Sequence, residues 1–83
     1  VSTDLVDDTS PQLGGNLDVN GNDIVSTSNA DIDVLPNGTG KTNFGGTTGI
    51  VLPSGTTAQR VNTTGLIRFN STTGLAEYFD GTL

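Results

Sequence analysis

The sequence predicts an all-β chain of short strands and hairpins, with little or no helix, that folds by associating with copies of itself. Three observations carry this prediction. First, Gly, Pro or Asn interrupts every stretch before it reaches the length of even a marginal helix. Second, short β-branched runs alternate with turn-forming residues along the chain. Third, hydrophobic residues make up only 31% of the chain, against about 45–50% in an ordinary globular domain. A chain of this size has difficulty closing a core even at normal composition. With no Cys and no His, disulfides and ordinary zinc sites are excluded as staples, which leaves oligomerisation. Disorder is the competing outcome for so polar a chain. Charged residues are only 14%, however, and the polar content is Thr, Asn, Ser and Gly set between β-formers.

Taken in order, the elements fall into three segments. Residues 1–23 are acidic and rich in Gly and Asn. There Leu17-Asp18-Val19 alternates in polarity, and Asn20-Gly21 is a strong turn dipeptide. Residues 24–60 are predicted as a short-strand shaft-like segment. It holds Ile24-Val25, then Ile32-Asp33-Val34 closed by Pro36-Asn37-Gly38, then Ile50-Val51-Leu52 closed by Pro53-Ser54-Gly55. The runs LDV, IDV and IVL, each followed by a Gly-containing turn, make a weak internal repeat suited to short strands stacked along an axis. Residues 61–83 are predicted as a β-hairpin. Its strands are 65–70 and 75–80, and the turn is Ser71-Thr72-Thr73-Gly74. Arg68 and Glu77 then fall nearly opposite one another, an ion pair expected at an exposed position. A lone hairpin is marginal in water, so its apolar face needs a partner. Ile32, Val34, Ile50, Leu52, Leu66, Ile67, Phe69 and Phe79 are the candidates for a buried strip where copies meet. The start at Val1 without Met and the stop at Leu83 suggest a fragment of a longer polypeptide.

Charge narrows the partners. Nine acidic residues face only Lys41, Arg60 and Arg68. Such a balance disfavours nucleic acid and anionic membranes. No apolar run approaches the length of a membrane span.

Two stretches resemble known sequences. Asp7 to Ile24, DDTSPQLGGNLDVNGNDI, resembles a recurring segment of tail-fibre and related virion proteins of tailed bacteriophages, particularly those of marine bacteria and cyanobacteria. Leu52 to Thr82 is similar to a second signature of these proteins. In that signature GTTAQRP leads into a G-x-I-R-Y-N strand, a turn and an E-x-Y-D-G strand. This chain departs from it with Val61 in place of Pro, Phe69 in place of Tyr, and Glu77-Tyr78-Phe79-Asp80 in the second strand. The resemblance implies an elongated, intertwined homotrimeric fibre, a virion location, contacts with other tail proteins, and no catalytic residues. The alternative is a receptor- or glycan-binding tip or adaptor module of a virion or an extracellular adhesin. In that case Tyr78 and Phe79 are the candidate sugar-stacking aromatics, and a host surface glycan the partner.

Sites of other chemistry find little support. Gly38 to Thr42, GTGKT, ends like a phosphate-binding loop, but Leu35 stands where its first Gly belongs and 43–49 cannot be a helix. Asp18 to Asp23 alternates oxygen ligands like a calcium loop, yet Asp23 replaces the required Gly and Asn29 the terminal Glu. Asp31 and Asp33 could ring a threefold axis and attract a cation. Asn37, Asn62 and Asn70 begin glycosylation sequons of a kind that arises freely in an Asn- and Thr-rich chain. One Glu and no His leave few general bases, and neither Asp7-Asp8 nor the Asp31/Asp33 pair suggests positioned acid–base chemistry. The sequence therefore predicts no catalytic, cofactor-binding or resident metal residues.

Overall fold

The computed structural model describes residues 4–82. Residues 1–3 and 83, the outermost ends of the first and last predicted segments, lie outside it. The chain divides into two compact units, Val1–Leu35 and Pro36–Leu83.

In the first unit the described residues form turns and no strand. Leu5–Asp7 is a single 3-10 turn. The Asn20-Gly21 turn closes as expected, with Asn22 N–H donating to Val19 O at 2.9 Å. Both central residues are left-handed, at φ 54° and 76°. The Asp18 carboxylate caps the turn by accepting from Asn20 N–H at 2.8 Å, which is ordinary Asx-turn chemistry. A second tight turn joins Thr27 O to Ala30 N–H at 3.1 Å, centred on left-handed Ser28 and Asn29.

The second unit carries a three-stranded sheet in the order β1-β2-β3, where β1 is Ser54–Gly55, β2 is Ile67–Asn70 and β3 is Leu75–Tyr78. The hairpin β2–β3 is antiparallel, and its register pairs Ile67 with Tyr78, Arg68 with Glu77, Phe69 with Ala76 and Asn70 with Leu75. Two further bonds, Phe79 N–H to Leu66 O and Gly65 N–H to Phe79 O, extend the pairing past the strand ends. The loop closes through Gly74 N–H to Asn70 O at 2.8 Å, with Gly74 at φ +74°. An all-β chain with a terminal hairpin is thus what forms; neither α-helix nor long apolar helix occurs among the described residues.

Three expectations need correction. The runs 17–19, 24–25, 32–34 and 50–52 belong to no ladder. A strand is held by a ladder of backbone hydrogen bonds, and among the described residues no such ladder forms along these short runs. Instead, Ser54 and Gly55, predicted as turn residues, pair in parallel with Phe69 and Asn70. Phe69 N–H donates to Pro53 O and Ser71 N–H to Gly55 O, both at 2.8 Å. Finally, the four candidates for a buried strip that lie on the hairpin, Leu66, Ile67, Phe69 and Phe79, do not share one surface. On the hairpin, side chains alternate. Leu66 and Phe79 lie with Arg68 and Glu77, whereas Ile67 and Phe69 lie on the opposite face with Tyr78 and Ala76. None of the eight is buried in the single chain, and among the described residues no hydrophobic side chain is.

Candidate functional site: a polar core under the sheet

The residues that are buried are polar. Asn70 is 0% exposed and Arg68 7%. They sit on one face of β2, which the loop 56–60 covers. That loop is itself organised by a reciprocal cap at the 3-10 turn Thr57–Gln59. The Thr56 side chain accepts from Gln59 N–H, and Gln59 Oε1 accepts from Thr56 N–H at 2.8 Å. Because this cover consists of backbone, hydroxyls and amides rather than aliphatic groups, the face of β2 beneath it must offer hydrogen bonds.

Asn70 meets that demand with all of its polar groups. Its Oδ1 accepts from Thr72 N–H at 2.9 Å and Thr73 N–H at 3.2 Å, shaping the hairpin turn. Its Nδ2 donates to Thr57 Oγ1 at 3.0 Å and to Glu77 Oε2 at 3.2 Å. Turn, cover loop and β3 therefore meet at one amide. Reversing that amide would set its oxygen against the Glu77 carboxylate and face its donors toward two backbone N–H groups, so the network specifies the orientation.

Glu77 lies between two guanidinium groups. Arg60 reaches it as a fork, Nη2 to Oε2 at 2.9 Å and Nε to Oε1 at 3.4 Å. Arg68 approaches from the opposing strand, with Nη1 at 3.2 Å from Oε1. This second contact is an ion pair without hydrogen-bond alignment, since Nη1 has no hydrogen-bond partner. The other guanidinium nitrogen, Nη2, donates to Thr56 O at 2.8 Å. Hydrogen bonds from Arg60 hold the Glu77 carboxyl below the usual glutamate range; partial burial opposes this, and Asn70 and both arginine charges reinforce it. Gly55 leaves room for the arrangement, because a Cβ there would stand 2.7 Å from Arg68 Nη2 and 3.0 Å from Gln59 Oε1.

Chemically, the cluster is a clamp. A carboxylate stabilised in its ionised form is a poor proton acceptor or donor near neutral pH. Two open clefts adjoin the cluster, one of about 230 Å³ beside Arg60, Leu66 and Phe79 and one of about 300 Å³ beside Pro53, Gln59 and Arg68, below or at the lower end of the roughly 300–1,000 Å³ of a typical ligand pocket.

Of the pairs read from the sequence, the hairpin brings Arg68 and Glu77 together at the expected register. Arg68 is buried and Glu77 half-buried, where the sequence predicts an exposed pair. Tyr78 and Phe79 are adjacent but alternate across the sheet, Phe79 half-buried beside the cluster and Tyr78 exposed on the other face. No three acidic side chains converge on a metal position among the described residues. The Asn70 amide lies buried in the network, so it is no glycosylation acceptor in this fold. Sequence reasoning missed Asn70, Arg60, Thr56 and Gln59. The one signal available was Thr-x-x-Gln at 56–59, the capping-box spacing. Compared with family models, curated proteins and solved structures, the chain matches none.

Proposed function

We propose that this chain is a non-enzymatic structural segment of a homotrimeric bacteriophage tail fibre, a shaft element of the virion that supports host attachment. The observation that carries the reading is the lack of any buried hydrophobic side chain among the described residues. Hydrophobic burial is the main favourable term in folding, and a fold without it requires cover from outside. Identical copies meeting along an axis supply that cover in register. The two stretches that resemble phage fibre proteins, residues 7–24 and 52–82, point the same way. The clamp at Glu77 is then a device that sets hairpin and loop geometry.

Size-exclusion chromatography with light scattering tests the proposal. The expected mass is three times the 8.5 kDa of the chain, with cooperative loss of structure and assembly together on heating. A compact folded monomer would refute it. A glycan-binding tip is the second reading, favoured by Tyr78 at 63% exposure on the uncovered face; specific retention on host-envelope glycans, lost in Tyr78→Ala, would support it.

A further inference from the structure

We infer that copies of this chain hold one another through the outer face of the β2–β3 hairpin, formed by Ile67, Phe69, Ala76 and Tyr78, and that its occupant is the same face of neighbouring copies. The inference rests on the trimeric reading and gives that assembly a location. The two faces of the hairpin differ sharply. One is covered by the loop 56–60 and occupied by the Arg60–Glu77–Arg68–Asn70 network. The other carries no charged side chain, and Ile67, Phe69 and Tyr78 remain 53%, 37% and 63% exposed there.

Charge indicates which part of the chain can meet its own copy. Residues 1–35 hold seven of the nine acidic residues and no basic one. Residues 36–83 hold Lys41, Arg60 and Arg68 against Glu77 and Asp80, a net charge of +1. Contact through the second unit sets a net charge of +1 per copy at the interface, whereas contact through the first sets seven aspartates per copy there with no basic residue to offset them. The occupant must also be present whenever the chain folds, because no hydrophobic side chain among the described residues is buried within one copy. A second copy meets that condition; a partner encountered later does not. Three copies of an uncharged face with an aromatic pair can close on a threefold axis and form the dry centre that each lacks.

The test uses the whole chain. Phe69→Asp is expected to lose the assembled species at a concentration where the unaltered chain is fully assembled. Val51→Asp, at a site 100% exposed in the same unit, is expected to keep it. Tyr78 is the only tyrosine and there is no Trp, so acrylamide quenching of its fluorescence reads the face directly in the unaltered chain, even if Phe69→Asp fails to fold. The expected result is a Tyr78 shielded in the assembly and fully quenched once urea dissociates it. A trimer whose Tyr78 is freely quenched, or one that survives Phe69→Asp, would overturn this location while leaving the trimer standing. A compact monomer would remove the trimeric reading itself.

Discussion

At the residue scale, the fold turns on a side chain that the sequence gives little reason to single out. Asn70 reads as the last polar residue of a strand and the first of a sequon. Its role as hub arises from partners at 57 and 77, which only the folded loop and hairpin bring near. Arg68 and Glu77 were legible because their pairing depends on symmetry about one turn. Arg60 was not, since it reaches Glu77 from an aperiodic loop whose path no periodicity encodes. Two predictions belong here. Asn70→Ala strands two turn N–H groups and the Thr57 hydroxyl, and leaving a buried polar group unsatisfied costs about 1–3 kcal/mol; the expected result is a clear fall in the thermal midpoint by circular dichroism. Asn70→Asp keeps the size and the acceptor but sets a second carboxylate beside Oε2 of Glu77, so its loss should be larger at pH 7 than at mildly acid pH. The second prediction concerns Glu77. Its pKa is depressed in the fold, so its contribution to stability is fully present above the ordinary glutamate value of about 4.3 and is lost as pH falls through the lower folded value. Urea midpoints measured from pH 7 to pH 3 should fall across that acid window, and Glu77→Gln should flatten the fall while lowering the midpoint at neutral pH. An unchanged acid slope in Glu77→Gln would show that other carboxylates carry the dependence.

At the scale of elements, the hairpin was readable and the rest of the sheet was not, for a physical reason. A hairpin is a local object: turn chemistry at Ser71 to Gly74 and two alternating flanks specify it within one short window. The β1–β2 pairing is parallel and needs the intervening loop to return the chain alongside itself, which no local pattern reports. The runs at 17–19, 32–34 and 50–52 have strand composition but no ladder among the described residues, because β propensity measures fit to a pleated, half-buried surface and these runs do not pack on one. Turn chemistry fared better: Asn20-Gly21 and Asn37-Gly38 both close turns, the latter through Gly40 N–H to Asn37 O at 3.0 Å. Two glycines test the elements separately. Gly74 lies in open space at φ +74°, so Gly74→Ala should cost roughly 1 kcal/mol from backbone strain alone, and Gly74→Asn should restore most of it because Asn tolerates this conformation. Gly55→Ala acts by crowding. Its Cβ displaces an Arg68 guanidinium already pinned to Thr56 O and Glu77, so the bulk that would be harmless on an open strand should lower the midpoint by about 1–3 kcal/mol equivalent. Equal effects for Gly74→Ala and Gly74→Asn would show that something other than backbone conformation governs that turn.

At the scale of the whole molecule, two electrostatic effects oppose one another, and salt separates them. The clamp of Arg60, Arg68 and Glu77 is attractive, short in range and partly buried, so dissolved ions screen it weakly. The net charge of -6 is repulsive between copies, and the aspartates of residues 1–35 supply all of it and more. Screening lengths shrink from about 30 Å at 0.01 M salt to about 8 Å at 0.15 M. That range covers separations typical of charges on neighbouring chains, but not the 2.9 Å contact between Arg60 and Glu77. If copies associate, the repulsive contribution should fade first, and the midpoint for loss of assembly should rise as sodium chloride increases from 0.01 to 0.15 M. Replacing Asp4, Asp7 and Asp8 with Asn should reproduce part of that rise at low salt and leave less for salt to add. A midpoint that falls steadily with salt would mean that ion pairs, rather than repulsion among the aspartates of residues 1–35, dominate the salt dependence of the assembly.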